Sequence, residues 1–443
     1  MSSSEGSHRL TFFRQSGWMM IATTLGGVFM WAVHVPAARM PKAEYGVLGA
    51  LLQVLNLMLI PALGLQTVFA QQTAAAITED RARQLARTVR QMLLAVFVIW
   101  VGMAALAVAC RQTLLGSLKI TNPAALWITV LIALAMLWWP ILQGVLQGRQ
   151  NFLWFGWVQI LNGCVRFSGV MVLVWWLGCY AAGAMTAALF GFWAALLISA
   201  WHSRAVWLAP GAPVPWRGWL GRVVPLTLGL GASQFMMAAD QVFVQSIFDR
   251  EVTGLYTAAG TIGRALVIFT GPVMAVMFPK VVASAARAER TDVLAQALGA
   301  TALLGGLAAL ACTVLPELPL RVVYPREYLA IAPLLPWFAW CMLPLTLANV
   351  LIGNLLAREQ FAAVPWLLSV AIGYGIALKV VALGISAVMQ GGAFNLGEQM
   401  AAFQTVVRTI GCFSSLLLAV AAWFTWGRRP EAPPVTTATA ARG

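Results

Sequence analysis

Charged side chains are scarce in this chain. They make up 9% of its 443 residues, where a soluble domain carries about 25%. That scarcity excludes a protein whose main solvent is water. Histidine is rarer still. His8 lies in the N-terminal segment, and His34 and His202 lie near the ends of apolar runs. None stands beside an acid or a cysteine in a ligand pattern. The six cysteines, Cys110, Cys164, Cys179, Cys312, Cys341 and Cys412, show no CxxC spacing. They read as small packing residues rather than disulfide or metal partners. No cofactor is expected.

Apolar sequence is abundant, at 61% of residues. A helix needs roughly 20 apolar residues in a row to cross a bilayer. Twelve such runs lie near 16–36, 47–70, 91–110, 124–147, 156–178, 181–201, 222–247, 254–279, 293–315, 331–356, 363–388 and 404–426. They are continuous, so they are not the alternating segments of a membrane barrel. The first run is longer than a signal peptide's core and reads as an uncleaved helix, despite the small residues of "HVPAAR". The expected fold is an all-α polytopic membrane protein with about 12 transmembrane helices.

Basic residues outnumber acidic ones by 28 to 14. Seventeen of the Lys and Arg fall in the loops on the N-terminal side of the membrane and seven in the opposite loops. This bias puts both termini in the cytoplasm. It also accounts for the net charge of +14 without a nucleic-acid partner. Trp154, Trp157, Trp216, Trp219, Trp423 and Trp426 cluster near the expected interfaces, as an aromatic belt would. The tail after 426, "RRPEAPPVTTATAARG", has the composition of a disordered segment.

The second half of the chain echoes the first. A segment from Pro41 and another from Arg250 each run from a charged outer loop to a glycine near a tyrosine. In one these are Tyr45 and Gly46, in the other Gly254 and Tyr256. Each continues into a span with a proline, Pro61 or Pro272, and ends in a basic, alanine-rich segment. Six helices separate the copies, so the repeats are parallel and related by an axis along the membrane normal. Two six-helix lobes around a central cleft follow, with Pro61 and Pro272 as candidate bending points. The expected division is a cytoplasmic segment 1–15, an N-lobe 16–205, a linker 206–221, a C-lobe 222–426 and a tail 427–443.

Five ionisable residues fall inside the runs: Arg166, Asp240, Arg264, Lys379 and Arg408. Each costs about 2.5–3.5 kcal/mol at a helix centre, so each must pair, face a wet cavity or snorkel. Arg408 is near enough to the outer interface to snorkel. Asp240 is the only acid in any run. Asp240 and Arg264 lie on adjacent antiparallel helices, roughly 12 Å and 15 Å from the outer end at 1.5 Å per residue, so they can meet. The pair reads either as a structural ion pair or as a gate, in which protonation of Asp240 holds or releases Arg264. Arg166 and Lys379 then remain as unbalanced positive charge. They reach backbone carbonyls or an interface, or they line a cleft that takes an anion. Guanidinium forks suit phosphate oxygens.

The stretch from Gly229 to Lys280 carries Asp240, "TGLYTAA" (Thr253 to Ala259) and "FPK" (Phe278 to Lys280). It resembles the polysaccharide-exporter branch of the multidrug/oligosaccharidyl-lipid/polysaccharide (MOP) superfamily, the lipid-linked oligosaccharide flippases. "AEYGVLGALLQVLNLM" (Ala43 to Met58) resembles the second helix of the same family. The resemblance implies a MATE-like fold worked by alternating access in the cell inner membrane. It implies a polyprenyl-diphosphate-linked oligosaccharide as substrate, and H+ or Na+ as a possible coupling ion. Cationic residues of the cleft would engage the diphosphate: Arg264 by resemblance, and Arg166, Lys379 and Arg408 by charge placement. The rival readings are a cation-coupled multidrug extruder of the same superfamily and a membrane polymerase or ligase of the sugar pathway. The extruder usually places acids in its N-terminal lobe. The polymerase or ligase usually carries one large outer loop, and the outer loops here are roughly 15 residues by the expected boundaries.

Overall fold

The computed structural model describes residues 18–19, 21–213, 216–269, 293–389 and 396–427. These contain no strand. A short apolar helix, α1 (Ile21–Ala37), comes first. Five spans long and apolar enough to cross a membrane follow: α2 (Lys42–Ala75), α3 (Glu79–Ala109), α4 (Pro123–Gly148), α5 (Phe152–Trp176) and α6 (Tyr180–Trp207). Next come α7 (Trp216–Ile247) and α8 (Arg250–Phe269). Four more apolar spans complete the order: α9 (Leu294–Val314), α10 (Arg326–Ala357), α11 (Phe361–Ala387) and α12 (Gly397–Gly427). Every expected run thus has a helix. Nine meet the length and hydropathy of a span among the described residues, which is compatible with twelve. α7 falls outside the nine because Gln234, Asp240, Gln241 and Gln245 dilute it.

Local chemistry explains several boundaries. α4 begins at Asn122, whose side chain accepts from the Ala124 N–H at 3.0 Å, followed by Pro123 in the first turn. Both are ordinary start signals. α3 opens with Glu79 and Asp80 at the positive end of the helix dipole. α5 and α12 end in π-helical turns, Met171–Trp176 and Trp423–Gly427. Inside α2 the α-helix gives way to a 3-10 turn, Ile60–Ala62, at Pro61. A proline there lacks an N–H and breaks the regular ladder. Pro272 and the "FPK" motif lie outside the described residues.

Contacts divide the helices into two lobes. α6 packs on α4 and α5, and the C-terminal part of α2 on α4. α12 and α9 pack on α10, α7 on α11, and α8 on α10. Between the lobes the main contacts are those of α2 with α7 and α8. The two repeat segments therefore face each other. A side chain at Gly46 would meet Thr253 Oγ1 at 2.5 Å and the Gly254 N at 3.0 Å, and one at Gly49 would collide with Thr257. Small residues allow such backbone approach, which is how helices commonly associate in lipid. Leu94, Val98 and Leu106 of α3 and Ile372, Ile376, Val380 and Leu383 of α11 are exposed, as lipid-facing stripes must be. Trp157, Trp423 and Trp426 are exposed too, but Trp219, expected in the aromatic belt, is buried.

Candidate functional site

α7 and α8 run antiparallel and bring Asp240 and Arg264 into a buried ion pair, Arg264 Nη2 donating to Asp240 Oδ2. Tyr256 Oη donates to the same oxygen at 2.7 Å. Arg264 Nε donates to the Met237 carbonyl at 2.9 Å, and its guanidinium sits 5.8 Å from the Phe338 ring. Asp240 is fully buried and Arg264 is 5% exposed. A pair this dry is held by Coulomb attraction that only roughly repays desolvation. Its surroundings are also incompletely bonded. Among the described residues Asp240 Oδ1, Gln241 Oε1, Gln245 Oε1 and the Tyr374 hydroxyl have no hydrogen-bond partner. The amide ends of the two glutamines are fixed, Gln241 to Thr257 at 2.7 Å and Gln245 to the Leu118 carbonyl at 2.9 Å.

Arg166 lies in the N-lobe, 6% exposed. It has no carboxylate partner among the described residues. Nη1 faces the Met30 sulfur at 2.9 Å, the guanidinium lies 5.1 Å from the Phe192 ring, and Nε is unpaired. Neighbouring Asn162 also leaves its Oδ1 unpaired. Gly191 makes room for both: a side chain there would strike Arg166 and Asn162. Thus the buried charges of the described residues are Arg166, Arg264 and Asp240, with one positive charge in excess. No carboxylate of α1–α6 is among them.

The other two cations do not join this set. Lys379 is exposed, in a row with Ile372, Ile376, Val380 and Leu383. An aliphatic stripe suits lipid rather than a wet, anion-binding cleft, which speaks against its expected place in the diphosphate site. Sequence spacing had given its depth but not its azimuth around α11. Arg408 is also exposed and lies 4.4 Å over the Trp337 ring, which suits a snorkelling side chain rather than a cleft ligand. All six cysteines are free, and no group of three or more His, Cys, Asp or Glu able to hold a metal occurs among the described residues.

A second constellation was missed by sequence reasoning. At the ends of α1 and α2 that the Lys/Arg bias assigns to the outer face, His34 Nδ1 lies 2.9 Å from Tyr45 Oη, and Tyr45 Oη lies 2.8 Å from Tyr324 Oη. Tyr328 closes the cluster edge-on against Tyr45, with ring centroids 6.0 Å apart. Burial pushes the Tyr324 hydroxyl up to about 12, so it stays protonated at neutral pH. Around this cluster Lys42 pairs with Glu327 at 3.3 Å, and the Lys119 ammonium donates to the Phe248 carbonyl. These contacts tie α2 and the α3–α4 loop to the second lobe. A usable signal was present: the chain has six tyrosines, and all but Tyr180 are buried.

The fold and this charge inventory define a polytopic all-α membrane protein with the architecture of solved MOP-superfamily transporters. A transporter of the MATE multidrug resistance family in its inward-facing conformation superposes with a TM-score of 0.68 at 13% identity, covering 93% of this chain and 97% of the other. A MOP superfamily transporter from Pyrococcus furiosus, described as having a binding pocket of reversed polarity, gives 0.65 at 14% identity over 94% of each chain. The lipid II flippase MurJ, inward closed, gives 0.65 at 13% identity, covering 93% of this chain and 87% of the other. At these identities the likeness is one of fold. No curated protein matches the chain by sequence. The family model described as "Polysaccharide biosynthesis protein" matches residues 12–284, more than half of the chain. The chain belongs to that family.

Proposed function

We propose that this protein moves a polyprenyl-diphosphate-linked oligosaccharide from the cytoplasmic to the outer leaflet of the cell inner membrane, by alternating access between lobes 16–205 and 222–426. Both termini are cytoplasmic on this reading. The observation that carries it is the excess buried positive charge among the described residues, with Arg166 lacking any acid there and Arg264 held by one. A fixed guanidinium in low dielectric attracts an anion strongly, and its planar fork matches phosphate oxygens. The diphosphate would take up Arg166 and replace Asp240 on Arg264. Protonation of Asp240 would remove its hold on Arg264, which is a route for H+ to couple to the cycle. The family and the likeness to MurJ support a lipid-linked substrate. The contacts of Tyr45, Tyr324, Lys42 and Glu327 at the expected outer face support a state closed toward the outside.

A multidrug extruder is the second reading, favoured by the MATE likeness. The absence of a buried acid from the N-lobe among the described residues speaks against it. Thermal stability of the purified protein separates the two. A short polyprenyl diphosphate should stabilise it by about 2.7 kcal/mol at 100 times its Kd, and Arg166→Ala should lose that gain. Stabilisation by an organic cation alone would overturn the flippase reading.

A further inference from the structure

A cavity of about 460 Å³ lies where the N-lobe meets the start of the C-lobe, on the face that the Lys/Arg bias assigns to the cytoplasm. α2 contributes Gln71 and Gln72, α3 contributes Arg81 and Gln84, and α7 contributes Trp219 and Arg222. It is separate from the Asp240–Arg264 pair and from Arg166, none of which lines it. The chemistry of the wall is particular. Two guanidiniums stand on opposite lobes. Arg222 has only a loose contact to Glu359, at 3.8 Å, while being 64% exposed. Arg81 makes one long bond, 3.4 Å, to the Ala75 carbonyl. By contrast Arg83, two residues along and outside the cavity, is tied to Glu79 at 2.5 Å. Three carboxamides supply donors and acceptors in equal number. Trp219 is 5% exposed, and its indole N–H has no partner among the described residues.

A wall of cations alone would suit any phosphate. A wall of amides and an indole face alone would suit a sugar. Together they suit a hydroxyl-rich group joined to a phosphate. We infer that this cavity is a loading site for the sugar–diphosphate headgroup of the transported lipid, occupied before the headgroup moves to the buried arginines. The inference rests on the flippase reading. Because Arg81 and the cavity glutamines belong to one lobe while Arg222 and Trp219 belong to the other, a headgroup bound here bridges the two. Lobe separation at this face then reshapes the site, and the headgroup is held only in one part of the cycle.

The test is binding to the full chain in detergent, with a short-chain polyprenyl diphosphate carrying one hexose as probe. The same lipid without sugar, inorganic pyrophosphate and phosphatidylglycerol micelles serve as competitors. The double variant Arg81→Gln/Arg222→Gln should weaken binding of the glycosylated lipid by about tenfold or more, the effect of about 1.4 kcal/mol of lost contact. Gln71→Ala/Gln84→Ala should erase the preference for the glycosylated lipid over the sugar-free one. Trp219→Phe keeps the packed ring and should weaken the same lipid severalfold. Unchanged affinity in the double arginine variant would overturn the loading site, as would displacement by pyrophosphate or phosphatidylglycerol as readily as by the substrate lipid. If Arg166→Ala abolishes binding while the cavity variants bind like the parent, the loading site falls and the flippase reading stands. If the parent protein ignores every diphosphate lipid, both fall.

Discussion

The Asp240–Arg264 pair allows a sharp experiment. Arg264 is buried with three anchors: the carboxylate, the Met237 carbonyl at 2.9 Å and the Phe338 ring. Asp240→Asn removes the one charge among them. Breaking a buried pair from one side costs about 3–5 kcal/mol, because the remaining charge is left uncompensated. Arg264→Gln leaves Asp240 fully buried with only the Tyr256 hydroxyl to donate to it. A carboxylate can escape by taking up a proton, whereas a guanidinium cannot. Asp240→Asn should therefore be the less stable single variant at mildly acidic pH. The double variant Asp240→Asn/Arg264→Gln carries no buried charge at this place. Its loss should be smaller than the sum of the singles by about 2–3 kcal/mol, near the top of the range for residues in contact. The assay is the thermal midpoint of each purified protein, followed by export of the lipid-linked polymer in cells. Losses that simply add would refute the claim that the two charges hold each other. A stable double variant that exports normally would make the pair structural and remove Arg264 from the diphosphate site. A stable double variant that inserts but does not export would keep it there.

Three other outcomes are expected. Tyr45→Phe breaks both hydrogen bonds of the His34–Tyr45–Tyr324 chain; at about 1 kcal/mol each it should raise thiol labelling of a cysteine placed at the outer end of α2, and unchanged labelling would show that the chain does not hold the outer side shut. Gly254→Ala puts a methyl group against the Lys42 carbonyl and should shift the population the same way while leaving expression intact; a normal cycle with normal labelling would count against close approach at this seam. Lys379→Leu lengthens an aliphatic stripe and should leave export within about twofold, with stability changed by no more than about 0.5 kcal/mol; abolished export would return Lys379 to the cleft.

Much of the fold could be read along the chain because lipid imposes a coarse rule: a span is a long apolar run. α7 shows where that rule weakens. Its glutamines and Asp240 lower its hydropathy, yet Gln241, Gln245 and Asp240 meet partners on α8 and on the α3–α4 connection. The meeting of Asp240 and Arg264 was legible because depth in two antiparallel neighbours follows from counting residues. The face of a helix does not follow from counting. Lys379 and Arg166 each sit well inside a run, but one emerges among aliphatic side chains and the other is enclosed by Met30 and Phe192. The tyrosine cluster was hidden for another reason. Tyr45 and Tyr324 are 279 residues apart in sequence, and only the packing of the α9–α10 connection against α2 brings them together.

The apposition of the two repeats has a mechanical consequence. Where α2 meets α8, Gly46 and Gly49 lie against Thr253, Gly254 and Thr257, so the two backbones approach closely. Only small side chains occupy this part of the seam. On the alternating-access reading, the bonds of Tyr45, Tyr324, Lys42 and Glu327 at the rim oppose opening. A helix pair built in this way behaves as a zip with its catch at one end. Its speed can be tuned by substitutions in the catch while the track is left untouched.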